Sequence, residues 1–247
     1  MNDNVFIRPT VEKVIFRIDY PNLFYLERKI PDIQMDILSE FPESALMIKQ
    51  QLPIVKIDKI NSPNDSNDDI LVQNIWEFKN TKGYILQISS NNFSIQSTMH
   101  KTYNSKNSDI KFRDTIKLCL DVFGKYTKLP FIKRVGLRYS DKCPLIKNTS
   151  KDYEESFESS FSLSKISIEN TESAYNKVVK KIGKYGVVCQ ESYNAKEPNW
   201  VKLDFDGFAN EVKYEDCLLV TDEIHDIISE EYFNTIKKPI IDWMEGK

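Results

Sequence analysis

Four charged side chains pose the first chemical question in this sequence: Arg134 and Arg138, with Gly136 between them, and the pair Asp204 and Asp206. Side chains alternate between the two faces of a β-strand. The run from Lys133 to Ser140 therefore sends Val135, Leu137 and Tyr139 to one face and Arg134, Gly136 and Arg138 to the other. At about 3.3 Å per residue the two arginines stand roughly 13 Å apart. Gly136 leaves room between them for a ligand or another backbone. Such guanidinium groups suit an anion or an acidic partner, and they also suit carboxylates across a sheet, which is the favoured reading. Asp204 and Asp206 share a face, opposite Leu203 and Phe205, and offer oxygen ligands of the kind Mg²⁺ takes. No third ligand can be named beside them, and a solvated strand face is the plainer reading. If the two strands adjoin, the pairs neutralise one another. Arg134, Arg138, Asp204 and Asp206 are the ligand-binding candidates.

A second charged group is Lys177, Lys180, Lys181 and Lys184, a basic hairpin with no acid between Glu172 and Glu191 and with Tyr175, Tyr185 and Tyr193 interleaved. Lysines beside aromatics can hold single-stranded nucleic acid by charge and stacking. Lysine is also what exposed sheet edges use to discourage pairing, which is the favoured reading in an acidic chain.

Other chemistries find little support. The two histidines are His100, read as a surface residue beside Lys101, and His225, among Asp222, Glu223 and Asp226. Neither belongs to an H-E-x-x-H pattern, so no metal site is expected. Cys119, Cys143, Cys189 and Cys217 are widely spaced and read as reduced, packed thiols. Ser162-Leu163-Ser164-Lys165 matches S-x-x-K without its companion motifs, and no G-x-S-x-G, Walker or dinucleotide fingerprint occurs. The expectation is no catalytic residue, no cofactor and no enzyme activity.

Composition sets the outer limits. With 247 residues, 40% hydrophobic and 12% aromatic, the chain can bury a real core. Seven glycines argue against glycine-rich nucleotide loops, and a net charge of −3 gives no general attraction to nucleic acid or anionic membrane. No apolar run approaches the ~18–20 residues that span a bilayer, and the first residues lack the pattern of a signal peptide. A cytoplasmic location without membrane association is expected.

The elements that must position these residues follow from periodicity. A first strand over Val11 to Tyr20 precedes a helical stretch from Phe24 to Phe41, kinked or begun at Pro31. A strand over Met47 to Ile60, a polar loop at residues 61–69, and a meander through Val72–Phe78 and Gly83–Met99 come next. The clearest helix runs from Ile110 to Tyr126 and leads into the arginine strand. Residues 142–164 read as a linker or lightly packed crossover. Strands over Ile166–Ile182, Gly186–Tyr193 and Trp200–Phe208 and a helical stretch from Leu218 to Met244, bent or restarted at Pro239, complete the chain. The class is α+β, an antiparallel sheet with helices on one face and two similar halves. Residues 1–145 form the first half, 146–164 a crossover and 165–247 the second, together one compact unit.

Several segments also carry a family likeness: Pro9 to Phe16, Arg134 to Tyr139, Leu203 to Asp206, and His225 to Ile228 followed by Phe233 and Trp243-Met244. In this order, over nearly the whole chain, they resemble a sporadically distributed conserved-hypothetical family of bacteria and archaea, a TIGR family of unknown function. After Tyr139 that family usually shows Ile-Asn, where Ser140-Asp141 stands here, so any site built on that asparagine is set apart. The resemblance implies a fold and a prokaryotic origin but no catalytic residues. The expected function is a non-enzymatic binding or interaction protein, a companion of a neighbouring operon or defence-type gene product, with a protein partner and a homo-oligomer as further possibilities; Trp243 and Met244 suit an oligomer contact, with core packing the favoured reading. The alternatives are a pocketed ligand-binding or metal-dependent hydrolytic protein using the Arg134/Arg138 and Asp204/Asp206 faces, and nucleic-acid binding through the lysine hairpin.

Overall fold

The computed structural model describes residues 5–51, 71–159, 161 and 167–247. Nine strands form one antiparallel sheet: β1 (Val11–Asp19), β2 (Glu43–Gln51), β3 (Leu71–Lys79), β4 (Tyr84–Ser89), β5 (Asn92–Ser97), β6 (Phe131–Pro144), β7 (Ser173–Ile182), β8 (Tyr185–Asn194) and β9 (Trp200–Lys213). The helices are α1 (Ile30–Ile37), α2 (Phe112–Thr127), α3 (Ser150–Ser156), α4 (Cys217–Thr235) and α5 (Lys238–Met244). The fold is α+β, as the strand and helix periodicities imply.

Strand order across the sheet is β2-β3-β4-β5-β1-β6-β9-β8-β7. Each half of the chain follows one plan. A central strand leads through a helix to the sheet edge, a meander returns to that strand, and a second helix follows. The central strands, β1 and β6, lie side by side, with Phe16 opposite Leu137 and Ile18 opposite Val135. The halves differ in the connection from the last strand of the meander to its helix. Residues 98–111 join β5 to α2, whereas residues 214–216 alone join β9 to α4.

The core lies on one face of the sheet. Val14, Phe16 and Ile18 of β1 and Val135, Leu137 and Tyr139 of β6 are buried there. Helix α2 covers the first half through the ring contacts Phe93–Phe123 at 5.1 Å and Tyr84–Phe112 at 5.8 Å. Helix α1 packs against α2, and α4 lies across β9 and β6. At Gly207 the approach of α4 is so close that a Cβ would stand 2.6 Å from Ile224 Cγ2 and 3.0 Å from Ile228 Cδ1.

Local chemistry explains most element ends. Pro31 stands in the first turn of α1, after a 3-10 turn at Leu26–Lys29, so the helical stretch does begin at this proline. Pro239 likewise opens α5, so the final stretch is two helices. Two expectations need correction. The 142–164 stretch is not lightly packed: α3 lies within it, capped by Thr149, and Tyr153 and Phe157 are buried. Tyr153 donates to Glu191 and Phe157 bridges to Ile236, which gives this polar-looking segment its anchors. The strand expected from Ile166 begins at Ser173, after a 3-10 turn at Ile168–Asn170. Residues 52–60 of the expected second strand, the 61–69 loop and the Ser162–Lys165 motif lie outside the described residues.

Gly207→Ala forces a methyl group into Ile224 and Ile228, and over-packing of this kind costs about 1–3 kcal/mol. Urea unfolding of this variant should show a lowered midpoint at an unchanged slope.

Candidate functional site

Arg134, Arg138, Asp204 and Asp206 come together on the open face of the sheet. β6 pairs with β9 in a register that sets Arg138 opposite Asp206 and Ser140 opposite Asp204. Each arginine reaches diagonally. Arg138 Nε donates to both oxygens of Asp204, at 2.8 and 3.0 Å, and Arg134 Nη2 donates to both oxygens of Asp206, at 3.1 and 3.0 Å. Ser140 Oγ adds a bond of 2.5 Å to Asp204. Burial raises the Asp206 carboxyl despite the pull of Arg134, while the hydrogen bond that Arg138 donates to Asp204 raises Arg138 further. A Cβ on Gly136 would lie 2.7 Å from Arg134 Nη1. The space this glycine leaves is thus taken by the chain's own guanidinium, which also lies over the ring of Phe208.

The lysine hairpin is β7 and the β7–β8 turn, at one edge of the sheet. Lys180 is paired with Glu231 at 2.5 Å and Lys184 with Glu223 at 3.4 Å, both acids of α4. Part of the hairpin's charge is therefore satisfied within the fold.

A cavity of about 500 Å³ lies on the other face, under α4. Tyr139 and Asp141 of β6 form its floor, continuing the alternation that buries Val135 and Leu137. Asp222, His225, Ser229 and Tyr232 of α4 cover it. Residues 100–106 of the β5–α2 connection wall one side, while the segment before β1, with Phe6, Pro9 and Thr10, and Met244 of α5 wall the other. Both histidines of the chain line this space.

His100 is buried, not the surface residue its neighbour Lys101 suggests. Its ring meets Tyr139 edge-on at 5.3 Å and Phe112 at 5.7 Å. His225 stacks on Tyr103, with centroids 4.1 Å apart and planes 12° from parallel. The Tyr103 hydroxyl donates to Asp222 at 2.6 Å, and Arg113 grips the same carboxylate with two bonds of 2.8 Å. This anchors the connection to α4 and leaves Arg113 neutralised. Burial lowers the pKa of both histidines, that of His100 to about 3, so both rings are neutral near pH 7.

Asp141 is the unusual member. A carboxyl on the core face of a central strand lacks water, and burial pushes its pKa up to about 7 even though Thr10 Oγ1 donates to it at 2.8 Å. Asp204, on the opposite face of the sheet, raises it further. Thr10 also meets the Tyr232 hydroxyl at 2.7 Å, which links the segment before β1 to α4. Two polar groups of the lining residues, the Tyr139 hydroxyl and His100 Nδ1, are buried with no hydrogen-bond partner among the described residues. Buried polar groups are nearly always matched.

None of these cavity residues stands out by motif. The readable signal was parity: Asp141 falls on the same face as Val135, Leu137 and Tyr139, and an acid on a core face demands a partner. Among the described residues no three His, Cys, Asp or Glu side chains converge as a metal site needs, and no helix is long and apolar enough to cross a membrane. A scan against protein-family models finds none that matches the chain, and a search of curated proteins finds no match.

Two measurements follow from this geometry. In a double-mutant cycle, Arg138→Ala and Asp204→Ala should show a coupling of about 0.5–1 kcal/mol, small because Arg138 is half exposed; additive losses would argue against the pair. The second concerns pH. Asp141 titrates at about 7 in the folded chain against an ordinary 3.8, so its contribution to stability falls as pH rises between those values, by an amount on the order of 3–4 kcal/mol. His100 runs the other way: its folded pKa is depressed to about 3, so stability is lost as pH falls below the ordinary histidine value. Asp141→Asn removes the first slope only. Its stability in urea should rise from pH 4 to 6.5 more steeply than that of the parent chain, and parallel profiles would contradict the assignment.

Proposed function

We propose that this chain is a small-molecule-binding protein whose site is the cavity between β6 and α4. The observation that carries this reading is the pair of unmatched groups, the Tyr139 hydroxyl and His100 Nδ1, on adjoining rings within one cavity. Each buried group left unmatched costs about 1–3 kcal/mol, and a ligand that matched both would recover much of that. The volume falls in the range usual for ligand pockets.

The corner of the cavity formed by His100 and Tyr139 is uncharged near pH 7. Both histidines are neutral, burial keeps the Tyr139 hydroxyl protonated, and Asp222 neutralises Arg113. The part of the ligand that reaches this corner is therefore uncharged and carries a hydrogen-bond donor close to an acceptor, as a cyclic amide or a nucleobase does. The aromatic walls favour a flat ring. The protein is read as non-enzymatic and cytosolic, answering to a ligand as the companion of another gene product. A metal-dependent role for Asp204 and Asp206 has less support, because both carboxylates are engaged by arginines. Nucleic-acid binding at the hairpin has less support because Lys180 and Lys184 are paired.

Tyr139→Phe provides the test. Removing an unmatched hydroxyl should stabilise the ligand-free protein by about 1 kcal/mol while weakening binding at least about tenfold. Calorimetric titration with free nucleobases, nucleosides and aromatic amides measures the second effect. No binding from this panel, together with a Tyr139→Phe variant less stable than the parent, would overturn the proposal.

A further inference from the structure

Among the described residues both ends of the sheet expose a strand edge, and the two edges differ in character. β7 carries Lys177, Lys180 and Lys181 with no acid, so two copies of it placed side by side repel. β2 ends the sheet on the other side, hydrogen-bonded to β3 alone among the described strands. Glu43, Ser44, Ala45, Leu46, Ile48 and Lys49 are all exposed, including two large apolar side chains at 57% (Leu46) and 61% (Ile48). A long exposed edge with apolar side chains is a template for pairing with another strand.

We infer that two copies of this chain pair through β2, antiparallel about a two-fold axis at Leu46. In that register Leu46 faces Leu46, Ala45 faces Met47, Ser44 faces Ile48 and Glu43 faces Lys49, each of the last three pairs occurring twice. The charges are self-complementary: every Glu43 meets a Lys49 on the open face of the sheet. The apolar residues fall on the other face, since Leu46 pairs with Trp76 and shares its side with the core. There the Ile48 of one copy lands beside Ser44 of the other, the residue that Gln34 of α1 contacts at 3.1 Å. Leu38, one turn beyond Gln34 and half exposed, extends the apolar strip. Moving the axis to Met47 keeps an apolar contact between Leu46 and Ile48 but sets Lys49 opposite Ala45 and loses both ion pairs. Charge thus selects the Leu46 register, and the product is one continuous sheet across two protomers.

The interface is modest in size, so dimerisation should be visible by sedimentation at about 100 μM. Glu43→Lys alone and Lys49→Glu alone each set like charges opposite one another twice, and each should weaken the dimer about tenfold. The double variant exchanges the partners and should return to within about threefold of the parent. Leu46→Lys should abolish dimerisation while circular dichroism and melting remain those of a folded monomer. A protein monomeric at every concentration, or a dimer unaffected by Leu46→Lys, would overturn the inference. So would equal, additive weakening in the charge-exchanged double variant.

Discussion

The alternation of side chains along β6 is the constraint on which the rest of the structure depends. β6 is flanked by β1 and β9, so its backbone polar groups are matched and only its side chains face outward. Odd-numbered residues from Val135 to Asp141 enter the core or the cavity, while Arg134, Arg138 and Ser140 stay on the open face and bond to β9. A slip of one residue would exchange these sets and bury two guanidinium groups beneath α4. The ion pairs to Asp204 and Asp206 add little energy at such exposure, but they tie β6 to β9 in the register that places Tyr139 and Asp141 under the helix.

Polar groups beneath α4 illustrate two outcomes of the same desolvation. Asp222 holds a partly exposed place with Arg113 and Tyr103 donating to it, and that cluster fastens α2 and its leading connection to α4. Asp141 has a hydroxyl donor and no cation, and its proton affinity rises accordingly. A carboxyl that retains its proton up to about pH 7 presents much the same neutral, bonding surface as an amide.

Much of the fold was legible because it rests on local periodicity. The core faces of β1 and β6, the stripe of α2 and the restarts at Pro31 and Pro239 are all recorded in sequence spacing. So was the Arg–Asp network, since both pairs sat on alternating strands awaiting a register. The cavity was not legible in this way. It is made by Thr10, His100, Asp141 and His225, which are far apart in the chain and meet only when β1, β6, the β5–α2 connection and α4 pack together. His100 beside Lys101 looked like surface because sequence neighbours in a connection point in different directions. The packing of α3 was hidden for a related reason: Tyr153 and Phe157 are held by Glu191 and Ile236, partners from elements much later in the chain.

The two halves share a plan but differ in how the last strand of each meander reaches its helix. In the second half residues 214–216 suffice, and α4 settles directly on β9; in the first half residues 98–111 travel farther and become a wall of the cavity. The sheet and this wall of the cavity are therefore carried by different parts of the chain. Changes within 98–111 alter what the cavity admits without touching a ladder of the sheet, whereas changes in β6 disturb both. A chain built on this plan can reshape its cavity by revising one connection while keeping its sheet intact.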